Sequence, residues 1–115
     1  MLSDRDVQEL LHYQPSQPVL SIYLNTDPAE GNADAYKLRL RTMLKDVEMA
    51  EDVEAVLRYF EHEHDWSGRS VAVFSCAADR FFKSFPLAVS TRDRVRINDR
   101  PYVKPLADLL DSYGG

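Results

Sequence analysis

Apolar and polar residues follow two different rhythms along this chain, and the switches between them lay out its elements. Ser3 stands where a helix N-cap belongs, and Asp4 and Asp6 suit a first turn. Val7, Leu10 and Leu11 mark the inward stripe of a short helix running to about Tyr13, which Pro15 and Pro18 terminate. Residues 19–25 (VLSIYLN) fit a period of two, with Leu20, Ile22 and Leu24 on one face, which predicts a strand. The segment TDPAEGNAD at 26–34 is turn chemistry. From 33 to 65 no Pro or Gly intervenes, and apolar residues recur at 36, 40, 43, 44, 47, 50, 53, 56, 57 and 60. That period of about 3.6 predicts one long helix, or two broken near 50–52. Trp66, Ser67 and Gly68 close it.

Three strands and a helix follow. Residues 69–76 (RSVAVFSC) are apolar on both faces, as an inner strand covered on both sides must be. In 81–87, Phe81, Lys83, Phe85 and Leu87 oppose Phe82, Ser84 and Pro86, and the proline places this strand at an edge. In 91–98, Arg92, Arg94 and Arg96 face one way and Val95 and Ile97 the other, with Asp93 a blemish on the apolar side. Pro101 and Pro105 bracket an extended run before a last helix carrying Leu106, Leu109 and Leu110. The order α-β-α(α)-β-β-β-α predicts an α/β domain with a mixed, mainly four-stranded sheet, the long helix or helix pair crossing over between strands 1 and 2. The expected core is Leu20, Ile22, Leu24, Leu40, Val47, Leu57, Val71, Val73, Phe74, Val95, Ile97, Leu106 and Leu109. Packing residues end at Tyr113, so residues 1–113 are read as one domain, the N-terminal module of a longer protein. Gly114 and Gly115 are then expected to begin a flexible interdomain linker with no catalytic contact.

Composition narrows the class. A chain of 115 residues with 44% hydrophobic content suits one core. Asp4, Asp6 and Glu9 interrupt any signal-peptide-like start, and no apolar run approaches the roughly 20 residues of a membrane helix. The single cysteine, Cys76, cannot form an internal disulfide, which points to a reducing cytoplasm, and its place at the end of an apolar strand suits a buried inert thiol.

Charge changes the picture more. The net charge of −5 is an average over segregated blocks. Lys37, Arg39, Arg41 and Lys45 open the long helical segment without an acid among them, while 46–65 carries eight acids against Arg58 alone. The strand-rich stretch 69–104 carries eight bases against Asp79, Asp93 and Asp99. Arg92, Arg94 and Arg96 at period two, continued by Arg100 and Lys104, could make bidentate phosphate contacts; the competing reading is a solvated face paired with the acidic helix. Lys37, Arg41 and Lys45 share one helix face at i, i+4, i+8, and serve either RNA or an ordinary polar surface. His62 and His64 lie two apart on a helix, about 200° around it, so they are not expected to share a metal ion. Asp27, Glu30 and Asp34 cluster in one loop with no partner for acid–base chemistry, and Asp34 reads as a helix N-cap. Phe81, Phe82 and Phe85 could stack bases or pack the core, with Phe82 on the face opposite the other two.

Four phrases in order carry a resemblance: SIYLNTDP at 21–28, GRSVAVFSC at 68–76, a Phe-rich strand leading to Pro86-Leu87, and RPYVKPLADLLD at 100–111. Together they resemble the N-terminal domain of bacterial relatives of the archaeo-eukaryotic peptide-chain release factor family. The resemblance implies a downstream domain of RNase-H-like fold holding the peptidyl-tRNA hydrolysis loop, a Gly-Gly-Gln sequence or a variant. Gly114 and Gly115 are not that loop, because no Gln follows. The stop-codon-reading motifs of the archaeo-eukaryotic factors, Asn-Ile-Lys-Ser and Tyr-x-Cys-x-x-x-Phe, are both missing: Cys76 has Phe74 two residues before it and Arg80 four after. What is expected is a non-catalytic module without metal or cofactor that contacts the ribosome or tRNA, with Arg92, Arg94, Arg96, Arg100, Lys104, Lys37, Arg41 and Lys45 as candidate contacts. Its other expected partners are the downstream domains of the same protein, with no membrane. The alternative is a protein–protein or self-association module.

Overall fold

The computed structural model describes residues 2–114, with side-chain surroundings described through 111. Helix α1 (Asp4–His12) starts as expected: Ser3 caps it, its hydroxyl accepting from the Asp6 N–H while the Asp6 carboxylate accepts from the Ser3 N–H. Val7 and Leu10 are buried, but Leu11 is 45% exposed, so the apolar stripe is narrower than the sequence predicted. Strand β1 (Val19–Asn25) follows, then a short 3-10 turn (Pro28–Glu30), α2 (Ala33–Leu44) and α3 (Ala50–His62). Strand β2 (Ser70–Cys76), a second 3-10 turn (Ala77–Asp79), β3 (Phe81–Leu87), β4 (Arg94–Asn98) and α4 (Lys104–Gly114) complete it. The helical backbone thus runs through Gly114, and Gly115 lies outside the described residues.

The expected long helix is two helices, parted at residues 45–49, just ahead of the anticipated break. This has a topological consequence. The sheet order is β3-β2-β1-β4 and every neighbouring pair is antiparallel, so the sheet is not mixed. One long helix would have carried the chain to the far end of the sheet and made β2 parallel to β1. The α2–α3 hairpin instead returns it to the end it left, and β2 runs back alongside β1.

Helices cover both faces. On one side α2 and α3 bring Tyr36, Leu40, Leu44, Val56, Tyr59 and Phe60 onto Leu20, Ile22, Leu24, Val71 and Val73. On the other, α1 and α4 bring Val7, Leu10 and Leu106 onto Val19, Tyr23, Ala72 and Phe74. Val47, Leu57, Val95 and Leu109 are half-buried against these clusters. Ile97 departs from the expected core: at 45% exposed, it lies on an edge strand, lining an open cavity beside Met49 and the first turn of α3 instead of packing under the helix.

Asp52 in the first turn of α3 is buried and ties the helix to the end of β2, accepting from the Ser75 hydroxyl at 2.6 Å and the Ala77 N–H at 2.7 Å. Gly68 enters β2 at φ 78°, and a Cβ there would lie 2.7 Å from the Leu87 carbonyl oxygen, the same oxygen that accepts from the Arg69 N–H. Phe74→Ala is expected to lower unfolding free energy by about 3–5 kcal/mol, and Gly68→Ala by more than about 1 kcal/mol, both read from urea midpoints at unchanged slope.

Candidate nucleic-acid interface

Cross-strand pairing settles which way the β4 arginines point. Arg94 opposes Tyr23 and Arg96 opposes Ser21, while Val95 opposes Ile22. Directly opposed residues share a face, so Arg94 and Arg96 lie on the α1/α4 side and Val95 on the α2/α3 side. The acidic helix α3 is therefore across the sheet from the arginines. Arg92, Arg96 and Arg100 are exposed and Arg94 is half-buried. None of the ion pairs among the described residues involves Arg92, Arg94, Arg96 or Arg100. Arg96 instead lies over the Tyr102 ring at 5.3 Å and donates to the Val95 carbonyl at 3.0 Å. Tyr102 is itself fixed, its carbonyl accepting from the Tyr23 hydroxyl at 2.5 Å and its N–H donating to the Ser21 hydroxyl at 3.0 Å.

The three arginines do not share one strand, because β4 begins only at Arg94. The Asp93 carboxylate accepts from the Asn25 N–H at 2.7 Å, taking a donor that a longer ladder would have used. It also accepts from Arg39 at 2.8 and 3.2 Å, and the same guanidinium donates to the Asn25 carbonyl at 2.6 Å. What looked like a blemish in the strand pattern is a clamp joining β1, α2 and the approach to β4. Arg92 sits in that approach. Lys104 opens α4 and pairs with Asp108 at 3.4 Å, so of the five bases it alone is held by an acid among the described residues.

The other basic block has a different fate. Lys37 and Arg41 both reach Glu61 of α3, at 3.4 and 3.5 Å, which makes them the polar seam of the helix hairpin. Lys45 is exposed at the end of α2. These three lie on the sheet face opposite Arg94 and Arg96, so one flat surface does not gather all eight candidates.

His62 is exposed at the end of α3, whereas His64 is buried among Tyr59, Phe60 and Trp66, its Nδ1 2.9 Å from the Tyr59 hydroxyl. The two rings face different surroundings. The loop acids hold their own backbone: Asp27 accepts from the Ala29 N–H at 3.0 Å and the Ser90 hydroxyl at 2.9 Å, and Glu30 accepts from the Asn25 side chain. The cap of α2 is Asn32, which accepts from the Ala35 N–H at 2.9 Å, and not Asp34, which lies in the first turn. Phe81 stacks on Tyr13 at 3.9 Å, Phe85 packs edge-on against Phe74, and Phe82 turns to Tyr59, so all three are engaged in packing. Cys76 is buried, its Sγ 3.6 Å from the Gln17 carbonyl.

Sequence reasoning missed Tyr102 and Thr91. Tyr102 carried a signal, a ring between Arg100 and Lys104 in a stretch bracketed by prolines; Thr91 carried none. The Thr91 hydroxyl oxygen is buried without a hydrogen-bond partner among the described residues. It lines a shallow cavity of about 330 Å³ together with Ser90, Arg92, Arg94, Pro105, Asp108 and Leu109. No helix among the described residues is long and apolar enough to cross a membrane. No protein-family profile matches the chain, and no curated protein matches it either.

His64 and the carboxylates that hydrogen bonds hold low, Asp27, Asp65 and Asp79, shape the acid response. Burial pushes the His64 pKa below its ordinary value of about 6.5, so the folded state favours the neutral ring. Hydrogen bonds from the Ser16 hydroxyl, from Tyr13 and from the Ser16 N–H hold the Asp79 carboxyl down to about 2. In both cases the unfolded chain binds more protons, so each contribution is present above the unfolded pKa and is lost as pH falls through the folded one. Thermal melts are expected to show a first loss of stability as pH drops below about 6.5 and a second below about 4. His64→Phe should abolish the first and leave the second.

Proposed function

We propose that the chain is a non-catalytic RNA-contacting module of a release-factor-like protein of translation termination or ribosome rescue, its partner the ribosome or tRNA in the cytoplasm. One observation carries the reading: Arg94 and Arg96 lie on the sheet face turned away from acidic α3, Arg92 lines a cavity with Arg94, and none of these or of exposed Arg100 is paired with an acid among the described residues. An arginine strand meant only for solubility would be expected to meet the eight acids of 46–65; here the sheet stands between them. Unpaired guanidiniums with fork geometry match phosphate oxygens, and phosphate contacts supply most sequence-independent RNA affinity. The resemblance of 21–28, 68–76 and 100–111 to the N-terminal domain of bacterial release-factor relatives supplies the translational setting, with hydrolysis of peptidyl-tRNA assigned to a downstream domain. Lys37 and Arg41, committed to Glu61, drop to a minor part in this reading.

The double variant Arg94→Glu, Arg96→Glu is expected to weaken binding to ribosomes or tRNA and to flatten its salt dependence by about one unit of slope per lost phosphate contact, with folding little changed. Unaltered binding and slope would contradict the reading. A second reading, a self-association module, has one observation in its favour: an apolar groove of about 350 Å³ lined by Leu2, Pro86, Leu87, Val89, Leu109 and Leu110. A concentration-dependent mass insensitive to salt in sedimentation would favour it.

A further inference from the structure

We infer that the cavity between the approach to β4 and helix α4 is a ribonucleotide subsite, where Arg92, Arg94 and Thr91 take a phosphate and Asp108 accepts a hydrogen bond from the ribose 2′-hydroxyl, so that the surface prefers RNA to DNA.

The inference rests on the RNA reading of the arginine surface and adds selectivity to it. Its starting point is the mixture of groups around one cavity of about 330 Å³, room for a single nucleotide's phosphate and sugar. Arg92 and Arg94 supply fork-shaped donors with no acid paired to either among the described residues. The Thr91 hydroxyl is the kind of group that asks for a ligand: its oxygen is shielded from water yet makes no hydrogen bond among the described residues. Leaving such a group unmade is costly in a folded protein, and a phosphate oxygen beside it would accept from it. Its neighbour Ser90 is already committed, its hydroxyl donating to Asp27 at 2.9 Å, so Thr91 alone remains for the cavity.

Asp108 makes the site unusual. A pocket built only for phosphate would exclude a carboxylate, yet Asp108 lines this one from α4. Lys104, one turn earlier, pairs with it at 3.4 Å and offsets part of its charge. An ionised carboxylate offers about four acceptor positions and no donor, so it recognises a hydroxyl or an amine. Beside a phosphate held by two arginines, the hydroxyl within reach in RNA and missing in DNA is the 2′-OH, the group by which proteins tell the two apart. Arg96 on its Tyr102 platform and exposed Arg100 would then contact neighbouring phosphates without regard to the sugar.

The test compares a fluorescent oligouridylate of about a dozen residues with the oligodeoxyuridylate of the same length, by anisotropy at several salt concentrations, so that the 2′-hydroxyl is the only difference. Wild-type protein is expected to bind the ribo form about tenfold more tightly, the low end of what a hydrogen bond to a charged group contributes. Asp108→Ala should bring their ratio near one, chiefly by raising affinity for the deoxy form, because both forms are relieved of a like charge while the ribo form also loses its hydrogen bond. Arg94→Ala should lower both together and keep the ratio. Thr91→Val, nearly isosteric, should weaken both a few-fold without lowering the melting temperature. Equal binding of the two forms by the wild type, with the usual salt slope, would overturn the subsite and leave the arginine surface standing. A tenfold ratio that survives Asp108→Ala would likewise overturn it. No salt-dependent binding of either form would bring down the RNA reading itself, and the subsite with it.

Discussion

Strands β1 and β2 have water on neither side, and that constraint decides where everything else can lie. From Val19 to Leu24 and from Ser70 to Cys76 every residue is buried. A strand buried on both faces needs a cover on each, so the α2–α3 hairpin lies on one side and α1 with α4 on the other. Burial of the largest of these side chains, Tyr23 and Phe74, outweighs any single polar contact on the surface. What remains for solvent chemistry is the margin of the sheet. Strands β3 and β4 are its edges, and only these two carry charged side chains, Lys83 in β3 and Arg94 and Arg96 in β4.

The sheet also acts as a partition between charges. Acids of 46–65 sit with α3, where Glu61 gathers Lys37 and Arg41. Arg39 is taken up by Asp93 in a clamp whose value is positional, since it fixes where β4 begins. Exposed pairs of this kind contribute little to stability, about 0–1 kcal/mol each, yet they determine which cations stay available. Among the described residues this pairing leaves Lys45, Arg69, Arg80 and Lys83 scattered over the surface and, close together in sequence, Arg92, Arg94, Arg96 and Arg100. An overall acidic chain thus presents a local cationic surface, which a net charge of −5 conceals.

Much of this was legible in the sequence, for reasons that differ by residue. The Ser3 cap, the apolar run of β2 and the edge position implied by Pro86 are local signals, and each matches the structure. The sheet's direction was not, because an uninterrupted helical period cannot show whether 45–49 turns the chain back; residues 45–49 contain no Gly or Pro to mark the reversal. Ile97 was misassigned to the core since alternation reports a face and says nothing of how far a helix extends over it. Asp93 misled in the same way: its role depends on Arg39, 54 residues earlier. Thr91 and Asp108 were silent as well, being ordinary surface residue types whose meeting depends on how α4 docks beside β4. The arginine alternation was visible, but its freedom from the acidic helix required knowing on which side of the sheet each lies.

The central claim is that recognition is confined to the β4–α4 side of the sheet. The most direct measurement is an amide chemical-shift map of isotope-labelled protein titrated with a short single-stranded RNA. The account predicts that shifts cluster at residues 91–96, at Tyr102 and in the first turns of α4, fading as salt is raised, while amides of α2 and α3 stay in place. Shifts centred on Lys37, Arg41 and Lys45, or spread evenly over both helical layers, would contradict it.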